Sequence, residues 1–194
     1  MTDTLLSVLI PSITTRTKRL GKLLRKLDAQ AEGQPIEVLC YVDNKVRSIG
    51  HKRNDLVRDA QGRFIAFVDD DDDVPDHYVS TALQYIRAGM DTDVFAIRQE
   101  CYYNGEGPFF VEFGTDYAND EMHRNSDGRW ANLKRYISHI CIWRSELAKS
   151  VPFPDKSYFE DAEWAAEAAK RIQHEVRITE VMYVYEYDDL SPRQ

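Results

Sequence analysis

Short, continuous apolar runs alternate along the chain with stretches whose apolar residues recur every three or four positions. "LLSVLIP" (5–11), "IEVLCYVD" (36–43), "RFIAFVD" (63–69) and "DVFAIRQ" (93–99) have the length and continuity of strands buried on both faces. After the first comes "TRTKRLGKLLRKLDAQ", where Leu20, Leu23, Leu24 and Leu27 keep the i, i+3, i+4, i+7 spacing of an amphipathic helix, and Gly33 and Pro35 close that unit. Residues 50–60 and about 76–88 read as further helices. This alternation predicts an α/β domain with a mostly parallel central sheet flanked by helices. Beyond residue 100 the pattern changes. "CYYNGEGPFFVEF" suggests a hairpin, "GTDYANDEMHRNSDGRW" an irregular loop, and "YISHICIW" (136–143) a strand. "YFEDAEWAAEAAKRI" reads as a helix with Asp161 near its N-terminus, and "VRITEVMYVYEY" as one or two closing strands. The expected organisation is one domain over 1–194, with a nucleotide-binding-like half (1–99) and a more variable half (100–194).

Composition changes this picture little. A chain of 194 residues fits a single domain with a proper core. The net charge of -8 argues against a dedicated nucleic-acid binder, which needs a basic face. Cys40, Cys101 and Cys141 are odd in number and far apart, which suits reduced thiols better than a disulfide framework or a zinc site. "MTDTLLSVLIPS" has an acid where a signal peptide needs a base, and its apolar run is too short to span a bilayer. A cytoplasmic protein without a transmembrane segment is expected.

The chemistry concentrates at strand ends. In open α/β sheets, ligands bind beyond the carboxyl ends of the strands. Pro11–Ser12, Asp43–Asn44 and the five aspartates Asp69 to Asp73 fall at three such ends. Adjacent carboxylates repel by about 4 kcal/mol at 4 Å and a protein's effective dielectric, so a cleft holding them needs a cation or donors. A calcium loop does not fit: counting from Asp69 or from Asp71 puts neither glycine at position six nor glutamate at position twelve. A sugar-phosphate nucleotidyltransferase would want a glycine-rich basic loop after the first strand, and the first glycine there is Gly21. The five histidines show no metal-binding spacing.

The run "VDNKVRSIGHKRNDLVRDAQGRFIAFVDDDDDVPDHYV" resembles the family 2 glycosyltransferases of GT-A (Rossmann-like) fold: a strand-end Asp, then Gly…Arg-Asn, then Ala-x-Gly, then a DxDD segment ending in Pro. "SVLIPS" is similar to that family's first strand and turn, and "YFEDAEWAAEAAKRI" to its Glu-Asp segment opening a late helix. The resemblance implies nucleotide-sugar contacts from Pro11, Ser12, Asp43, Arg53, Asp69 and Asp70, with Asp43 accepting from a base, uracil by expectation. It implies Asp71 and Asp69 as ligands of Mn²⁺ or Mg²⁺, which would neutralise a leaving diphosphate. Asp161 would take the proton from an acceptor hydroxyl, and Glu160 and Trp164 would line the acceptor site. Trp130, in the polar loop, is a further candidate to stack on an acceptor. The halves 1–99 and 100–194 then become donor-binding and acceptor-binding.

The implied activity is metal-dependent, inverting transfer from a UDP-sugar to an acceptor hydroxyl of a glycan, lipid-linked glycan, protein or modified nucleobase. A non-catalytic nucleotide-sugar or glycan-binding module and a nucleotidyltransferase are the alternatives. Related enzymes often add a C-terminal histidine to the metal shell. No histidine follows His174, and Asp188 or Asp189 stands in the region where it would lie. Each residue also has a plainer reading: Asp43 can end its strand in an Asx-turn, Asp161 can be a helix cap, and Asp72 and Asp73 can be turn residues.

Overall fold

The computed structural model describes residues 4–187. Three parallel strands form its first half. β1 (Leu6–Ile13) is central, flanked by β2 (Ile36–Asp43) and β3 (Phe64–Phe67), in register Ile13 with Asp43 and Leu9 with Phe67. The chain therefore moves one way from β1 to β2 and the other way from β1 to β3. Right-handed crossovers then place α1 (Thr17–Ala31) and α2 (Ile49–Asp59) on opposite faces. α1 packs against α3 (Tyr78–Ala88), and α2 against α4 (Ser145–Lys149) and α5 (Glu160–Ala169). β1 and β3 are buried throughout, as their continuous apolar runs require.

The second half extends the sheet with β4 (Val94–Tyr103), β5 (Glu106–Gly114), β6 (Leu133–Tyr136), β7 (Ile142–Arg144) and β8 (Glu175–Tyr187). The strand order is β2-β1-β3-β7-β4-β5-β6, with β8 also on β4. The sheet is mixed: β7 runs antiparallel to β3 and β4, and β5 antiparallel to β4. The strand expected over 136–143 is two strands, β6 and β7, separated by a turn at 137–141 that carries His139. That run is apolar because Ile137, Ile140 and Cys141 are buried in the turn, a case where periodicity cannot distinguish a strand from a packed loop. The hairpin expected at 101–113 is the β4–β5 pair, and the closing segment is one long strand with register shifts against β4.

Two glycines of the family-like motif mark close backbone approaches. A Cβ on Gly50 would lie 1.8 Å from the Pro154 carbonyl oxygen, and one on Gly62 would lie 2.5 Å from the Ser7 nitrogen. Gly50 therefore lets the start of α2 dock on the 154–156 loop, where its N–H donates to Lys156 O. Asn54 extends that docking by exchanging two hydrogen bonds with the Phe153 backbone.

Candidate active site

The topology gathers the acidic residues. β1, β2 and β3 are parallel, so Ser12, Asp43 and Asp69 emerge at one sheet edge. Because β7 is antiparallel to β3, the turn before it is carried past the carboxyl end of β3, which delivers His139 to the same edge. The C-terminal part of β8 arrives there too, and Val184 exchanges backbone hydrogen bonds with Asp73.

The five aspartates have five different environments. Asp69 is bound by Arg53 Nη2 at 2.8 Å, with His139 Nε2 3.5 Å from its other oxygen. Burial works to raise its carboxyl, but the Arg53 charge and the His139 ring outweigh this and hold it well below the ordinary range. Asp70 is fully buried and accepts from Ser12 Oγ at 2.6 Å and Arg16 Nη1 at 2.8 Å. Asp71 is partly exposed, with Arg16 Nη1 2.9 Å away; burial and then the charge of Asp69 push its carboxyl up. Asp72 accepts from Tyr183 Oη at 2.7 Å, and burial and Asp69 raise it well above normal. Asp73 faces Lys22 and Lys26 and accepts from the Val74 N–H. Its backbone is bridged to Val184, and the turn expected at Asp72 and Asp73 falls instead at residues 70–71.

Asp43 closes an Asx-turn: its carboxylate accepts from the backbone N–H groups of Lys45 and Arg47 and from Lys52 Nζ at 3.1 Å. Lys52 is almost fully buried and also donates to Ser12 O, so one ammonium ties the ends of β1 and β2 together. Pro11 and Ser12 form the buried floor of this edge.

On the other side, Arg53 is 3% exposed and joins Asp69 to Glu160, with Nε 3.3 Å from Glu160 Oε1 and the guanidinium 4.9 Å over the Phe67 ring. Its Nη1 is buried without a hydrogen-bond partner. His139 is also buried, and its Nδ1 lies 3.4 Å from Asp161 Oδ2, so the ring spans from Asp69 to Asp161. α5 begins at Glu160, and Phe159, at φ 63°, occupies the capping position. Asp161 therefore sits in the first turn, where the helix dipole favours a carboxylate, and is not the cap.

Several expectations need correction. Trp164 is fully buried, stacked on Phe153 at 4.5 Å with its indole N–H donating to Val151 O; as a core residue it cannot line an acceptor site. Glu160 is buried behind Arg53 and steadies it, and Arg53 and Asp70 are likewise turned inward as struts. Trp130 packs against Tyr103, Phe109 and Arg124 at the β4–β5 hairpin, not beside Asp161. Asp188 and Asp189 lie outside the described residues. Arg16, Lys52, His139 and Tyr183 join the site without having been expected there. Arg16, three residues past β1, and Lys52, next to Arg53 in α2, carried a sequence signal; His139 and Tyr183 are brought in by the fold.

Among the described residues, no three His, Cys, Asp or Glu side chains are grouped closely enough to cage a metal. Asp71, with its raised and partly exposed carboxyl, and Asp69, whose Oδ2 is approached by His139 Nε2 at 3.5 Å, are hard oxygen donors. Such a pair suits Mg²⁺ or Mn²⁺ held by one or two carboxylates together with substrate phosphates and water.

No family model matches the chain, and no curated protein matches it in sequence. Solved structures do match. Staphylococcus aureus TarS 1-349 is similar at a TM-score of 0.65 and 20% identity over 94% of this chain. The same protein in complex with UDP-GlcNAc matches at 0.67 and 19% over 97%, and in complex with UDP at 0.65 and 20% over 95%. The chain spans about 60% of the length of the TarS 1-349 structure. These matches establish the GT-A fold. No helix of the described residues is long and apolar enough to cross a membrane.

Proposed function

We propose that the chain transfers a sugar from a UDP-sugar to an acceptor hydroxyl with inversion, assisted by Mn²⁺ or Mg²⁺. The observation that carries this reading is the single line Asp69–His139–Asp161 at the sheet's topological switch point, where a donor-side carboxylate and a candidate base share one edge. The UDP-GlcNAc and UDP complexes of TarS, on the same fold, support a uridine nucleotide as the donor.

In this reading Asp43, on its Asx-turn, addresses the base of the nucleotide. Asp71, with Asp69, would hold the cation, which when bound neutralises charge growing on the diphosphate. Arg53 and Glu160 fix Asp69. Asp161 is 37% exposed and accepts the proton of the acceptor hydroxyl as the new bond forms. With Trp164 in the core, the acceptor face falls to Tyr158 and Phe159, which are 62% and 75% exposed immediately before Glu160. Exposed aromatic faces of this kind suit the apolar face of a sugar ring.

The test is release of UDP from UDP-GlcNAc and other UDP-sugars with Mn²⁺, paired with calorimetry of UDP binding. Metal-dependent UDP binding with UDP release that Asp161→Asn abolishes supports transfer. Binding without turnover, across a panel of glycan acceptors, would mark a binding module, and pyrophosphate release would mark a nucleotidyltransferase.

A further inference from the structure

Arg16 stands where a cation is wanted. It ends the short 3₁₀ turn Thr14–Arg16 after β1, and its side chain is only 11% exposed. One nitrogen, Nη1, reaches both Asp70 Oδ1 at 2.8 Å and Asp71 Oδ2 at 2.9 Å. Asp70 is held independently by Ser12 Oγ, so it is a fixed post. Asp71 is the more exposed of the pair, at 31%, and the one suited to a metal. Guanidinium and divalent cation would therefore compete for the same carboxylate, and a dication near a guanidinium is repelled twice as strongly as a single charge would be. A diphosphate reverses this balance. It supplies oxygens that a guanidinium's planar donors match well, close to the carboxylates that would hold its cation.

We propose that Arg16 is an exchangeable counter-ion. In the free chain it bridges Asp70 and Asp71, and when the donor arrives it passes to a diphosphate oxygen and yields Asp71 to the cation. This rests on the nucleotide-sugar reading. Cation and nucleotide then bind cooperatively, because each removes an obstacle to the other, and the coupling is reciprocal. The chain carries little bound metal without its donor.

The experiment measures Mn²⁺ binding to the full chain by the electron paramagnetic resonance signal of free Mn²⁺, with and without UDP, and UDP binding by calorimetry. Wild type, Arg16→Gln and Arg16→Lys are compared after thermal melts establish that each is folded. Wild type should bind Mn²⁺ at least tenfold more tightly once UDP is present. Arg16→Gln should bind Mn²⁺ alone at least tenfold more tightly than wild type, and Mn²⁺-loaded UDP at least tenfold more weakly. Arg16→Lys keeps the charge and should still keep Mn²⁺ out. Unchanged Mn²⁺ affinity in Arg16→Gln, or Mn²⁺ binding as tightly to Arg16→Lys as to Arg16→Gln, overturns the competition. Tighter Mn²⁺ with unchanged UDP affinity overturns the exchange. Wild type that binds no UDP at any Mn²⁺ concentration overturns the donor reading itself, which is a separate failure.

Discussion

His139 Nδ1 lies 3.4 Å from Asp161 Oδ2, and the same ring carries its other nitrogen to Asp69. In the proposed reading the base must meet an acceptor hydroxyl within hydrogen-bond reach, and His139, itself buried, is placed to aim the base's carboxylate. His139→Ala should therefore lower the transfer rate constant by roughly 10- to 100-fold, the usual cost of removing an orienting partner. His139→Gln, which keeps a polar group facing Asp161, should recover part of that loss. KM for the donor should move by no more than a few-fold in either variant. A loss confined to donor KM would place His139 in the donor pocket and not behind the base.

Arg53 is the electrostatic keystone of the edge. It is buried between Asp69 and Glu160 and roofed by Phe67. Removing one member of such a group leaves uncompensated buried charge, at a cost of about 3–5 kcal/mol. Arg53→Met should lower the melting temperature by roughly 10 °C in a domain of this size. Arg53→Met combined with Glu160→Leu should recover part of that drop. Equal melting temperatures for wild type and Arg53→Met would mean the pair is screened by solvent.

Much of this edge is legible in the chain, for a physical reason. β1 and β3 are buried on both faces, so their sequences are continuous apolar runs, and the residues just past each parallel strand must lie at the ligand edge. Asp69 and Asp71 are found that way; Asp43 ends β2, which the structure makes a half-buried edge strand and not one buried on both faces. Their partners are not, because Arg53–Glu160 and His139–Asp161 join residues 107 and 22 positions apart, and no local periodicity encodes such pairs. Trp164 misleads because an aromatic three residues after Asp161 falls on the helix face that packs on Phe153 and Trp143. Asp70 misleads in the same way: in a run of five identical residues, only the fold reveals which one turns inward.

The three thiols supply a pH test. Burial pushes Cys40 up to about 11 and both Cys101 and Cys141 up to about 12. The thiolate is the reactive form, so raised values mean that little is present at pH 8. Native protein should react with a thiol reagent at pH 8 at least tenfold more slowly than the unfolded chain, and Cys40, the least buried, should react first. Fast reaction of all three in the native state would contradict this burial.

Asp71 and Asp73 separate cation binding from local structure. Asp71 offers a raised, partly exposed carboxyl, while Asp73 is spent on Lys22, Lys26 and the Val74 N–H. Calorimetry should show UDP binding that EDTA or Asp71→Ala weakens at least tenfold. Asp73→Ala should bind UDP normally and lose only about 1 kcal/mol of stability, the value of a lost side-chain hydrogen bond and exposed ion pairs. UDP binding insensitive to both EDTA and Asp71→Ala would remove the cation from the mechanism.

Asp161 carries the claim of catalysis. A sugar hydroxyl is a weak nucleophile at neutral pH, and a positioned base contributes about 10²–10⁴-fold by taking its proton in the transition state. The capping position belongs to Phe159, so Asp161 is not needed as the cap of its helix. Asp161→Asn preserves size and can still meet His139, but it cannot accept the proton. Transfer should fall by roughly 10²-fold or more, with UDP affinity and melting temperature close to wild type. Glu160→Gln makes the contrast, because Glu160 is buried against Arg53: it should cost stability before it costs chemistry. Near-normal transfer by Asp161→Asn would leave the exposed carboxylate without a catalytic role, and the base would have to come from a different part of the edge.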